Sequence, residues 1–201
     1  MIAYRAALLA ALALLAGCGK VPVTTQWKLR SFDPLTFDPA APRVAIIASS
    51  TVRALPGGAK ILFRHWQKEA EDSKTSETFV LQETGEALPA ALRGAAPEGM
   101  RTTVFRLADK DIPRVRALQA AFAERKRTAP GTAGAEAKAD IDACRTADLP
   151  AGPLEGTVFI KMDETNGYLP LFERLDFRAL AESEGNRLET MVKPCPPPAR
   201  R

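Results

Sequence analysis

The sequence predicts a mainly β protein, a two-layer antiparallel β-sandwich of Ig-like type with one helix inserted at about 111–127. Three observations predict it. Short β-branched or alternating apolar stretches recur along the chain and are separated by Pro and Gly turns. One segment switches to helical spacing. Asn166-Gly167 sits between two alternating arms, a local hairpin signal. The alternative is an α+β fold in which one open antiparallel sheet packs on the helix.

Residues 26–32 (Gln-Trp-Lys-Leu-Arg-Ser-Phe) alternate apolar with polar and read as a half-buried strand. Pro34, Pro39 and Pro42 punctuate the next stretch, and the apolar, β-branched residues 43–48 read as a buried strand. Pro56-Gly57-Gly58 predicts a turn and 59–66 a further strand. The charged residues 67–77 read as a solvated loop or a short irregular helix, and 78–83 as a strand. Residues 88–99, rich in Ala, Pro and Gly, read as a connector, after which 101–107 resume the strand pattern.

The helix comes next. Asp109 or Asp111 can cap it, and Pro113 falls in its first turn, where the missing N–H is harmless. Val115, Leu118, Ala121 and Phe122 recur at helical spacing, Arg125-Lys126-Arg127 give a basic last turn, and Pro130-Gly131 stop it. Residues 135–145 read as a strand because Ala137, Ala139, Ile141 and Ala143 alternate with Lys138, Asp140, Asp142 and Cys144. The arms at 156–164 and 168–176 flank the Asn-Gly pair, and Pro170 removes a ladder donor, which places the second arm near an edge. The single β-rich domain therefore runs over 26–195, and the Pro/Arg-rich residues 196–201 form an extended tail.

At the N-terminus, Arg5 precedes an apolar Ala/Leu run over 6–16, and Leu15-Ala16-Gly17-Cys18 closes it. Charge, short apolar stretch and small residues are the parts of a secretory signal. The four closing residues resemble the lipobox of bacterial lipoproteins. The resemblance implies a signal peptide over 1–17, cleaved between Gly17 and Cys18, with diacylglycerol on Cys18 and an acylated new amino terminus. Residues 18–25 then form a lipidated tether. The run is shorter than the roughly 20 apolar residues of a spanning helix. The resemblance also implies, by the sorting of lipoproteins in enteric bacteria, that Gly19 after the Cys, in place of Asp, favours the periplasmic face of the outer membrane over the inner membrane.

Removing residues 1–17 leaves 184, ample for one domain with a core. The whole chain carries 28 Lys+Arg and 24 Asp+Glu, interspersed. No basic face with interleaved aromatics is evident, which argues against nucleic acid. The signal implies an oxidising compartment, so Cys144 and Cys195, 51 positions apart, are expected to pair.

Chemistry is thinly represented. His65 is the one histidine, and its setting in Phe63-Arg64-His65-Trp66 suits a structural strand position better than a catalytic base. Asp140/Asp142 and Asp163/Glu164 read as solvated faces, and no metal or cofactor signature occurs. Trp66, Tyr168 and Phe172 are candidate interaction residues, against the simpler reading that the aromatics face the core. The expected role is a non-enzymatic docking or assembly module, held to the membrane by the lipid on Cys18 and meeting a periplasmic or outer-membrane protein. A lipoprotein that binds a small molecule or lipid is the alternative, and a cell-envelope hydrolase using His65 the second.

Overall fold

The computed structural model describes residues 21–30, 32–67 and 70–197. The segment read as a signal peptide, Cys18 and the end of the segment read as a tail lie outside the described residues. Helix α1 (Val23–Leu29) precedes β1 (Arg43–Ser49), β2 (Val52–Gln67), β3 (Ala70–Glu83) and β4 (Met100–Leu107). A 3-10 turn at Asp109–Asp111 leads into α2 (Ile112–Thr128). Then come β5 (Ala133–Arg145), β6 (Glu155–Lys161), β7 (Leu169–Asp176), α3 (Phe177–Ser183), α4 (Leu188–Met191) and β8 (Lys193–Pro194).

The protein is mainly β, but its strands join in one curled sheet in the order β7-β6-β1-β4-β3-β2-β5-β8. All neighbours are antiparallel except β5 and β8. The expected Ig-like sandwich is not confirmed, because β3 serves both halves. Residues 75–80 of β3 pair with β2, whereas Leu81, Gln82 and Glu83 pair with β4, so one strand carries the ladder round the bend. β2 is bent by a wide bulge. Between its partners Ala54 and Ala59 it advances five residues while β5 advances two, from Ala143 to Ile141. The Pro56-Gly57-Gly58 turn therefore lies inside one continuous strand, with Gly57 at φ 69°.

Four further elements differ from the sequence reading. The described residues of the segment 26–32 form no strand: α1 turns Thr25 inward (1% exposed) and Trp27 outward (72%), so the alternation does not track burial. The helix also begins inside the segment read as tether. Of the segment 67–77, Gln67 and residues 70–77 extend the sheet instead of looping, because Glu77, Ser76 and Thr75 face Phe63, Arg64 and His65 across the β2–β3 ladder. Around Asn166-Gly167 the hairpin loop spans 162–168, wider than a two-residue turn, with Gly167 at φ 62° and the Asp163 carboxylate accepting from the Asn166 N–H at 2.8 Å.

Two clusters form the core. On one face of the central strands, Ala45 and Val104 meet Leu92 from the segment read as a connector, with Leu88, Phe159 and Tyr168 around them. Leu92 is 2% exposed, and burying a leucine of this kind stabilises by about 1.5–3 kcal/mol, so 88–99 is a cover for the sheet. The second cluster joins Leu154, Ala181, Leu188 and Val192, with Val52, Leu149 and Phe177 beside it.

Helix α2 matches its predicted span, yet none of its residues is fully buried. It lies on the β2–β3 arm through Phe122, which meets Phe63 and His65 edge-on. Polar ties hold its other side, including Arg116 to Asp38 at 3.0 Å and Gln119 to the Phe37 carbonyl at 3.0 Å. Asp111, 2% exposed, anchors its start: the carboxylate accepts from the Val80 N–H at 2.8 Å and from Arg114 at 2.7 Å. Burial pushes this carboxyl up, but those two donors outweigh it and hold it below the usual carboxylate range.

Candidate functional site

Alternation within strands builds the first site. Ile46 and Ala48 of β1 and Thr103 and Phe105 of β4 share the sheet face opposite Ala45 and Val104. Ile141 and Ala143 of β5 and Val52 and Ala54 of β2 continue this surface round the curl. Leu154, Phe177, Leu188 and Val192 form the roof. Between floor and roof lies an apolar cavity of about 150 Å³.

The roof is held by local sequence. Asp176 caps α3, its carboxylate accepting from the N–H groups of Arg178 (2.9 Å), Ala179 (3.3 Å) and Leu154 (3.2 Å). Burial pushes the Asp176 carboxyl up, but the three backbone donors and Arg178 pull it below its ordinary value. Arg178 then ties α3 to the carbonyls of Pro150 and Gly152 and to Glu189 of α4. Cys144 and Cys195 form a disulfide, with sulfurs 2.09 Å and Cα atoms 4.8 Å apart, and it fastens the segment after α4 to β5. The Cys195 N–H also donates to the Arg145 carbonyl at 2.8 Å.

Such a cavity can hold a small apolar group, since voids of this size lined by aliphatic and aromatic side chains stay dry and accept benzene-sized ligands. Ser49, Arg101 and Thr103 are the polar side chains in its lining; no acid, histidine or thiol is among the lining residues.

The second site is the outer side of β5. Its inner side pairs with β2 from Arg145 to Ala133, whereas β8 pairs only with Cys144 and Arg145. Over residues 133–143, no strand among the described residues borders the outer side. Every side chain from 135 to 142 is exposed. On one face Ala135, Ala137 and Ala139 follow one another; on the other stand Glu136, Lys138 and Asp140. These charges are partly matched, Glu136 by Arg64 at 3.2 Å and Lys138 by Glu184 at 3.7 Å.

The structure disperses the candidate interaction residues. Trp66 is half-buried on β2, stacked flat on Gly134 of β5 and approached by Lys74 at 5.8 Å from the ring centre. A Cβ at position 134 would fall 2.4 Å from the indole, so only glycine admits this contact. Tyr168 packs on the Ala45–Leu92–Val104 cluster, and burial raises its phenol pKa. Phe172 is half-buried on β7, opposite Val158. Pro170 does lie in a terminal strand of the sheet, where its carbonyl accepts from the Thr25 hydroxyl at 2.7 Å.

His65 is enclosed by Phe63 and Phe122, with Nε2 buried, without a hydrogen-bond partner among the described residues, and 3.8 Å from Glu77. Asp142 pairs with Lys60 and Glu164 with Lys161, each at 2.7 Å. Among the described residues no group of three or more His, Cys, Asp or Glu could hold a metal ion.

The roofed cavity escapes sequence reasoning. Its signal is present but short: Asp176 followed by Phe177 and Ala181, an N-cap with apolar residues at i and i+4. Comparison with known proteins brings no relative to this arrangement: no family model, curated protein or solved structure matches the chain.

Proposed function

We propose that this protein is a lipoprotein held through Cys18 to the periplasmic face of the outer membrane, and that its β-rich domain is a non-enzymatic docking or assembly module. The lipobox-like Leu15-Ala16-Gly17-Cys18 supports the anchor. The observation that carries docking is the outer side of β5, which no strand among the described residues borders over 133–143. A long strand with one unpaired row of N–H and C=O groups is a template for another extended segment, and soluble proteins usually cover, shorten or bulge such edges. Strand addition supplies affinity through main-chain hydrogen bonds and selectivity through alternate side chains. Here the partner strand would meet small alanines on one face and Glu136, Lys138 and Asp140 on the other.

A photo-crosslinking residue at Lys138 in intact cells tests this reading. A discrete adduct is expected at 138 and not at Glu98, which is exposed in the 88–99 cover. Equal labelling at both positions, or none at 138, would count against docking at β5.

A second reading rests on the apolar cavity: the domain carries a small apolar molecule under α3 and α4. Native mass spectrometry of protein extracted from the envelope should then detect a releasable bound mass. Ala48→Val, which adds two methyl groups to the cavity wall, should abolish it. Undiminished retention in that variant would end the cavity reading.

A further inference from the structure

We infer that helix α1 rests on the bilayer, with Val23 and Trp27 in the boundary between headgroups and acyl chains. The inference starts from rotation. Within α1, Thr25 and Leu29 stand four residues apart, and Thr25 is held by its hydrogen bond to the Pro170 carbonyl on β7. That bond fixes which side of α1 faces the domain. Val23 and Trp27 stand two positions either side of Thr25, which turns both away from it. They are 75% and 72% exposed, the two highest values for large apolar residues among the described residues. Exposed apolar residues scattered singly need no explanation, but a valine and a tryptophan at i and i+4 on one fixed helix face form a patch.

Position identifies what covers it. The inference rests on the lipid-anchor reading: Cys18 lies five residues before Val23, and five extended residues span at most about 17 Å. With acyl chains on Cys18, α1 is thereby confined to the neighbourhood of the headgroups. Tryptophan is the residue type enriched at that depth, since its ring is apolar and its N–H can reach a polar partner. In the sequence Lys20 precedes α1 and Arg30 follows it, and no Asp or Glu occurs from 19 to 32, which complements anionic headgroups. Thr25, buried between helix and sheet, couples the membrane contact to the edge of β7. The domain is thus seated on the bilayer at that end of the sheet, with β5 toward the other end of the strand order.

The test uses the full processed protein carrying Trp66→Phe, which leaves Trp27 as its one tryptophan. It is reconstituted in vesicles of phosphatidylethanolamine and phosphatidylglycerol, and the mass of its N-terminal peptide reports acylation separately. The expected result is at least a twofold loss of Trp27 emission when the phospholipids are brominated near the headgroup end of the chain, with Trp27 shielded from acrylamide. Val23→Ser should weaken both effects while leaving acylation intact. Acylated, vesicle-bound protein whose Trp27 is unquenched and open to acrylamide would overturn the contact and leave the anchor standing. Quenching without any acyl group would support the contact and overturn the anchor alone.

Discussion

Removing the Cys144–Cys195 staple should cost stability by an amount that its loop length sets. In Cys144→Ala/Cys195→Ala the loop of 51 residues is no longer closed in the unfolded chain. The chain-entropy relation gives about 4 kcal/mol for that length at 25 °C. Little else compensates at this point. β8 contributes two residues, paired with Cys144 and Arg145, so the end of the chain otherwise depends on Leu188 and Val192 in the cavity roof. A loss of about 4 kcal/mol corresponds to a fall in Tm of roughly 8–16 °C for a domain of this size. Urea titration followed by far-UV circular dichroism measures it: the midpoint should drop, with the slope changing only as far as the unfolded chain expands. A loss below about 1 kcal/mol, or two free thiols in the unreduced parent, would refute the staple as a constraint on this loop.

Other perturbations bear on separate parts of the account. Asp111→Asn should destabilise by about 2 kcal/mol, the worth of hydrogen bonds to a buried charged group, and the variant should lose part of its acid sensitivity. The folded-state pKa lies below the ordinary value of 3.8, so this stabilisation is present above the unfolded-state pKa and is lost as pH falls through the folded one. Stability–pH curves with the same acid limb in parent and variant would contradict the assignment. Gly134→Val should displace Trp66, cost about 1–3 kcal/mol by overpacking, and redden the tryptophan emission in a Trp27→Phe background; unchanged emission would mean that the indole does not lie on Gly134. His65→Phe keeps the aromatic contacts with Phe63 and Phe122 and removes a buried nitrogen without a hydrogen bond. The variant should be between unchanged and about 1 kcal/mol more stable. A clear loss in thermal melts would show that the approach to Glu77 at 3.8 Å is a working interaction.

Legibility in the sequence tracks the length and purity of each pattern. α2 can be read because Pro113 and a basic end bracket four apolar positions at helical spacing, although the Asp111 carboxylate expected to cap it binds Val80 and Arg114 instead. β5 can be read because strict alternation over 137–144 excludes a helix face despite its alanine content. α1 misleads because its buried residue is Thr25, whereas its most prominent apolar side chain faces outward. Residues 70–77 look like a loop because pairing with β2 orders them, and no internal hydrophobic pattern records that pairing. The single curled sheet goes unread for a related reason: periodicity identifies strands, but it does not say that β3 will share its ladder between β2 and β4.

The candidate sites divide in the same way. The disulfide is accessible through compartment and cysteine count, which need no geometry. That β5 borders the sheet over 133–143 depends on strand order, and the cavity depends on two helices of seven and four residues folding back over the curl. Asp140 and Asp142 are visible as neighbours on one strand face; the pairing of Asp142 with Lys60, 82 positions away, is not.

The mass of the mature N-terminal peptide tests the central claim most directly. Protein extracted from the envelope should begin at Cys18 and carry diacylglycerol and an amide-linked acyl chain, and Cys18→Ala should lose both the cleavage and the added mass. A mature chain beginning elsewhere, or beginning at Cys18 with a free thiol and a free amine, would contradict the account.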